Sequence, residues 1–269
     1  MKQFVFALVV AAALAPVAAF AGTSPSTTRA QQDCTKLRAA MSSPAFSQAY
    51  PNFGACVSAY TPVENQVQSS AQSTCTAQQS DPTFATTHND KTFAEYYGTN
   101  QGGQNAYGRC VSIVASANSS AEQAGRTNIN PEQTCASIRT QLGTALFNKT
   151  YGTSTADQNA YGKCISATAK SQLHNEVSAS SSCKSQQSDA TFAANHGGKT
   201  FAEYYGTNAD GSNAFGKCVS STANAASKAQ AKAVVNAARS CQAEQKANPA
   251  AFQTKYGTFG KCVATKEKG

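Results

Sequence analysis

Tryptophan is absent from this 269-residue chain, methionine occurs twice, histidine three times, and only 13% of the residues are charged. Large core-forming side chains are scarce. From Gly22 onward there are 4 Leu, 4 Ile, 10 Val and 10 Phe, only 28 of 248 residues. That share lies far below the roughly 20% under which disorder becomes the default, and it excludes a single large aliphatic core. Sequence signatures of chemistry are missing too. There is no CxxC, HExxH, paired-His spacing or GxSxG elbow, which removes the common zinc, metalloprotease and hydrolase patterns. His88 and His196, in "THNDKTF" and "NHGGKTF", are the only histidines at matching places, and read as exposed loop residues. Glu95 and Glu203 recur within "FAEYYG" without a second recurring carboxylate, as a glycosidase pair would require. No catalytic residue, cofactor or metal ligand is expected, and the chain reads as non-enzymatic.

What is present is cysteine, ten of them, all beyond residue 30. The N-terminus explains how they pair. Lys2 supplies a positive start, the run from 4 to 15 is apolar, Pro16 breaks it, and Ala19-Phe20-Ala21 is a small-x-small cleavage site, so residues 1–21 read as a removed signal peptide. A membrane anchor is the alternative, but the run is short, Pro16 falls inside it and no basic flank follows. The mature chain is expected to be secreted, extracellular and without a transmembrane span. An even number of cysteines in an oxidising compartment implies a disulfide framework that replaces the missing core.

Internal repetition organises those cysteines. Residues 75–112 and 183–220 match at 26 of 38 positions without a gap, and "TFAEYYGTN" is written twice in full. Shorter copies run over 34–56, 135–164 and 241–262, each with an aromatic FxxxY before its second cysteine. The expected pairs are Cys34–Cys56, Cys75–Cys110, Cys135–Cys164, Cys183–Cys218 and Cys241–Cys262, with bridges between neighbouring units as the alternative. The fold class expected is all-α: a tandem array of five small helical units, each stapled by an intra-unit disulfide and joined by Ala/Ser-rich helical connectors. Its boundaries are a flexible segment at 22–30, short repeat 31–70, long repeat 71–130, intermediate repeat 131–178, long repeat 179–236 and short repeat 237–269.

Local signals fill in the units. Phe201, Tyr204 and Tyr205 stand on one helical face, as do Phe93, Tyr96 and Tyr97, with Gly206 and Gly98 expected as left-handed closing residues. Asn213 is expected to cap the next helix, placing Phe215, Cys218 and Val219 inward. The stretch 218–241 has neither Gly nor Pro and reads as one helix, whereas Gly125 and Asn130-Pro131 are expected to break the connector between the second and third units. In "QNAYGRCVS", "QNAYGKCIS" and "SNAFGKCVS" the aromatic plugs a core, Gly permits close approach and Cys staples. The phrase FAEYYGTN…NAFGKCVS resembles one in secreted repeat proteins of bacteria, mainly actinobacteria. The resemblance covers most of the chain after residue 21. It implies export and repetition, and it brings no activity and no catalytic or binding residue with it.

Charge is distributed unevenly. Residues 22–130 hold six basic and six acidic side chains, and residues 131–269 hold fifteen and eight. A basic residue precedes the second cysteine in four units: Arg109, Lys163, Lys217 and Lys261. Glu95 and Glu203 are expected to pair with those of the long units, leaving Lys149, Lys163, Lys255 and Lys261 without such a partner. These four are the candidate contacts to an anionic cell-envelope polymer. Nucleic acid is the weaker partner, because no recognition-helix pattern stands out. The leading expectation is an envelope or matrix component, or a multivalent binder of anionic surface polymers. A soluble loop-based ligand-binding or inhibitory protein is the alternative, carried by "GTNQGGQN" and "GTNADGSN". A hydrolase with an unrecognised site comes third.

Overall fold

The structure, a computed structural model, describes residues 24–153 and 159–267. The expected signal peptide lies outside the described residues. Every regular element among those residues is helical. In chain order they are α1 (Pro25–Ala40), α2 (Ser43–Ala49), α3 (Phe53–Ser80), α4 (Phe84–Thr87), α5 (Phe93–Tyr97), α6 (Ala106–Asn128), α7 (Pro131–Tyr151), α8 (Ala160–Gln187), α9 (Phe192–Asn195), α10 (Phe201–Tyr205), α11 (Ala214–Ala247), α12 (Pro249–Tyr256) and α13 (Phe259–Lys266), with a 3-10 turn at Gln101–Gly103.

Helix starts follow local chemistry. Asn130 accepts the Gln133 N–H at 2.9 Å with Pro131 behind it, and Asn248 accepts the Ala251 N–H at 3.0 Å ahead of Pro249. Each pair combines a capping oxygen with a residue whose missing N–H is no loss in the first turn. Ser24 caps α1 in the same way. Helix therefore begins at Pro25 and Ala30 is fully buried, so 25–30 is not the flexible segment expected.

All five disulfides pair within units, with Cα–Cα distances of 5.9–6.0 Å. The connectors are the long helices. Cys56 and Cys75 lie on α3, Cys164 and Cys183 on α8, and Cys218 and Cys241 on α11, so each of these helices closes one unit and opens the next.

The cores are not separate, as a simple array would have them. The first and third units share one buried cluster that includes Leu37, Phe46, Tyr60, Ile138, Phe147 and Ile165. The second and fourth share another, with Phe84, Phe93, Val114, Phe192, Phe215 and Val219. The fifth packs Phe252, Tyr256 and Phe259 against α11 and Leu146 of α7. Units this poor in apolar side chains gain burial by pairing across the sequence.

Several local expectations change for physical reasons. Gly98 and Gly206 are extended, with φ of −71° and −66°. Glycine is needed there because a Cβ would lie 2.3–2.4 Å from the carbonyl oxygen of Ala94 or Ala202. Asn213 does not cap α11. Its Oδ1 accepts the Thr207 N–H at 3.0 Å and its Nδ2 donates to the Thr207 hydroxyl at 2.9 Å, and Asn105 and Asn159 hold Thr99 and Thr153 likewise. The repeated Asn thus ties the loop to the helix start. Gly125 does not break α6, which runs on to Asn128. It lets α11 approach, since a Cβ would sit 2.0 Å from the Ser220 hydroxyl; Gly216 on α11 reciprocates against the Asn118 carbonyl at 2.1 Å. Asn130-Pro131 does end the connector, as expected.

Candidate functional site

The four lysines do not form one patch. Lys149, Lys163, Lys255 and Lys261 are all exposed, but Lys163 stands at the start of α8, where Gly162 faces Gln48 of the first unit. The other three surround the C-terminal unit. Lys149 Nζ sits 5.2 Å from the centre of the Phe259 ring, Lys255 Nζ lies 4.8 Å from that of Tyr256, and Lys255 and Lys261 line one shallow depression. Aromatic faces beneath the ammonium groups favour the cation without neutralising it. Lys255 also has an acidic neighbour that the repeat pattern did not supply, Glu244 at 3.9 Å, and Glu244 pairs with Lys266 as well. No ion pair engages Lys149, Lys163 or Lys261 among the described residues.

Glu95 and Glu203 do not pair with Arg109 and Lys217. Each closes a capping box, its carboxylate accepting from the backbone N–H and hydroxyl of Thr92 or Thr200, and these hydrogen bonds hold both carboxyls below the ordinary range. Arg109 donates instead to the Tyr97 carbonyl at 3.1 Å.

The loop histidines are half-buried. His88 stacks on Phe84 at 3.8 Å and meets the edge of Tyr96 at 4.7 Å; His196 repeats both distances with Phe192 and Tyr204. These tips leave Tyr96 40% and Tyr204 48% exposed. Around the first tip a groove of about 550 Å³ opens between His88 and Tyr96 of the second unit and Asn208, Asp210 and Gly211 of the fourth.

The most concentrated electrostatic feature is one that sequence reading missed. Arg126 on α6 is buried and surrounded by carboxylates from four helices. It lies 2.5 Å from Asp33 on α1, 2.6 Å from Glu176 on α8, 3.0 Å from Glu122 on its own helix and 3.7 Å from Glu64 on α3. Its guanidinium rests 4.6 Å from the centre of the Tyr60 ring. Arg29 adds a second cation at the edge, 3.1 Å from Glu64, and Gln123 donates to Asp33 at 2.9 Å. Acids outnumber bases. One oxygen each of Glu64 and Glu122 has no hydrogen-bond donor.

Burial therefore drives the Glu64 carboxyl up to about 8, with the Asp33 charge adding to the rise, and burial raises Glu122 and Glu176 as well, against the pull of Arg126. A carboxyl raised on folding holds a proton that the unfolded chain has released. Its stabilisation is complete below the ordinary carboxylate range and is lost as pH climbs towards the raised value, about 8 for Glu64. The exposed Asp81, Glu95, Asp189 and Glu203 and the half-buried Glu244 are lowered, so their contribution fades only on further acidification. Thermal melts are expected to be highest near pH 5 and to fall steadily to pH 9. Glu122→Gln is expected to flatten that decline, and a melting temperature that rises from pH 5 to pH 8 would contradict the assignment.

No group of three or more His, Cys, Asp or Glu side chains among the described residues is placed to hold a metal ion, so this cluster is built around Arg126. Comparison of the chain with protein-family models, with curated proteins and with solved structures found no match.

Proposed function

We propose that this chain is a secreted, non-enzymatic, disulfide-stapled helical repeat protein that serves as an envelope or matrix component by holding anionic surface polymers. The observation that supports the polymer contact best is the grouping of Lys149, Lys255 and Lys261 around the aromatic side chains of the fifth unit. Five disulfides and no free cysteine fit an oxidising, extracellular setting. No helix among the described residues is long and apolar enough to cross a membrane. Weak lysine contacts act together on a polymer that offers many charges, which suits retention by avidity.

The test uses the whole chain, because both shared cores straddle residues 126–130 and a fragment ending there would lose half of each. Lys149, Lys163, Lys255 and Lys261 are replaced together by Gln, and adsorption to immobilised polygalacturonate is measured. Most of the adsorption is expected to vanish with the melting temperature unchanged, and Lys163→Gln alone is expected to matter least.

The loop groove between Tyr96 and Asp210 favours a second reading, a ligand-binding protein that uses its long-unit tips. In adsorption to whole envelope material, that reading expects loss with Tyr96→Ala and none with the lysine variant. Tyr204→Ala is the internal control, since the Tyr204 ring has the same geometry but does not itself line that groove.

A further inference from the structure

The glycine before each unit's second cysteine shows how the units stack. In the third unit Gly162 faces Gln48 of α2, in the fourth the Gly216 N–H donates to Asn118 Oδ1 of α6 at 2.9 Å, and in the fifth Gly260 faces the Thr150 carbonyl of α7. Every one of these contacts runs the same way, from one unit to the unit two places earlier. The units therefore form an odd and an even stack of one polarity. A contact of this kind joins two different surfaces, so each stack is left with one of them unused at its start and the other at its finish.

The start is open. A side chain built at Gly108 of the second unit would meet nothing within 4 Å, and one built at Gly54 of the first would meet only Asn52 of its own unit. The duplicated second and fourth units allow the comparison position by position, at an offset of 108 residues. Phe215, Gly216, Ser220 and Asn224 are buried or half-buried where α11 crosses α6, whereas their counterparts Tyr107, Gly108, Ser112 and Ser116 are all exposed. Tyr107 is 36% exposed and Phe215 only 1%. The same face that packs in the fourth unit lies uncovered in the second.

The finish is open too. Thr254 and Lys255 on α12 hold the places after Phe252 that Gln48 holds after Phe46 and Thr150 after Phe147, and both are exposed. On α11 the counterpart of Asn118 at the same offset is Ala226, also exposed. Its small side chain lets another helix approach. Stacked repeats bury such faces only against a neighbour, and here the chain supplies no further unit to do so.

We propose that copies of this chain associate head to tail, the open faces of the first two units, around Ser58 and Gly108, seating on the fourth and fifth units of the next copy, around Ala226 and Thr254. The second copy stands where further units of the two stacks would stand. Because the joined surfaces differ, each addition leaves a fresh one exposed and the assembly grows. The inference goes beyond polymer binding and needs no polymer.

The test is sedimentation velocity of the oxidised full-length protein in polymer-free buffer, which keeps the outcome separate from that of the lysine reading. The wild-type mass is expected to rise with protein concentration past that of a dimer. Ser58→Arg with Gly108→Arg blocks the start and leaves the finish intact; Ala226→Arg with Thr254→Arg does the reverse. All four positions are exposed, so the melting temperatures are expected to change little. Each variant alone is expected to remain monomeric. An equal mixture of the two is expected to form a one-to-one complex that grows no further, since one partner still offers a start and the other a finish. A wild-type protein that stays monomeric at every concentration would overturn the proposal. So would either variant assembling like the wild type, or a mixture that stays monomeric.

Discussion

Reduction of the five disulfides is expected to abolish the cooperative thermal transition and most of the helical circular dichroism signal. The staples close loops with sequence separations of 21 to 35 residues, and in the chain-entropy treatment each contributes roughly 3–4 kcal/mol. Together that exceeds the 5–15 kcal/mol by which a folded domain usually outlasts its unfolded state. The remaining helices are rich in Ala, Ser and Gln, and their stability as helices depends on tertiary packing. The shared cores moderate the effect unevenly. Loss of Cys241–Cys262 is expected to release the small fifth unit, whereas loss of Cys75–Cys110 leaves its unit packed against the fourth. Single Cys-pair to Ala-pair variants, followed by melting, separate these cases. Full helicity and a cooperative melt after complete reduction would show that apolar packing alone suffices.

Replacing Arg126 with Met is the second large effect. The substitution removes the cation that faces Asp33, Glu64, Glu122 and Glu176 and leaves their carboxyls buried without it. Breaking a buried ion pair from one side costs about 3–5 kcal/mol, and at roughly 2–4 °C per kcal/mol for a chain of this size the melting temperature is expected to fall by about 6–20 °C. Arg126→Lys keeps the charge but not the planar fork that reaches Asp33, Glu122 and Glu176 at once, and is expected to recover only part of the loss. The deficit should shrink as the pH falls from 9 to 5, where the raised carboxyls of Glu64, Glu122 and Glu176 take up protons. A Met variant that melts like the wild type at pH 8 would show that the cluster is not a structural centre.

The staples and the long connectors were legible because their signals are local or repeated. A cysteine at each end of a recurring phrase implied its own partner, and the break-free stretch 218–241 lies within α11. The pairing of the first unit with the third, and of the second with the fourth, was not legible, since each repeat looks self-contained in one dimension. The Arg126 cluster was missed for a related reason: its members lie at positions 33, 64, 122, 126 and 176 on four helices. Signals did exist. Glu64 falls on the apolar stripe of Tyr60, Val67 and Ala71, and Glu122 stands four residues before Arg126 among buried side chains. A carboxylate in phase with a core stripe indicates a buried partner elsewhere. The Gly of the recurring phrase shows the limit of reading by repeat: Gly216 is essential to a helix crossing, whereas nothing lies within 4 Å of a side chain built at Gly108. The lysines were legible as residues but not as a surface, because Lys163 stands apart at the start of α8 and the other three gather on the fifth unit.

Retention on an anionic polymer through the lysines of the fifth unit is tested most directly by the salt dependence of binding. Affinity of the oxidised full-length protein for soluble polygalacturonate is measured across a series of NaCl concentrations, for the wild type and for the variant with Gln at positions 149, 163, 255 and 261. Each lysine engaged with the polymer releases counterions, so the logarithm of affinity falls linearly with the logarithm of salt concentration, more steeply for more contacts. The expected result is a steep line for the wild type and a weak, nearly flat one for the variant. Equal slopes and affinities for the two proteins would contradict the assignment and return these lysines to ordinary surface charge.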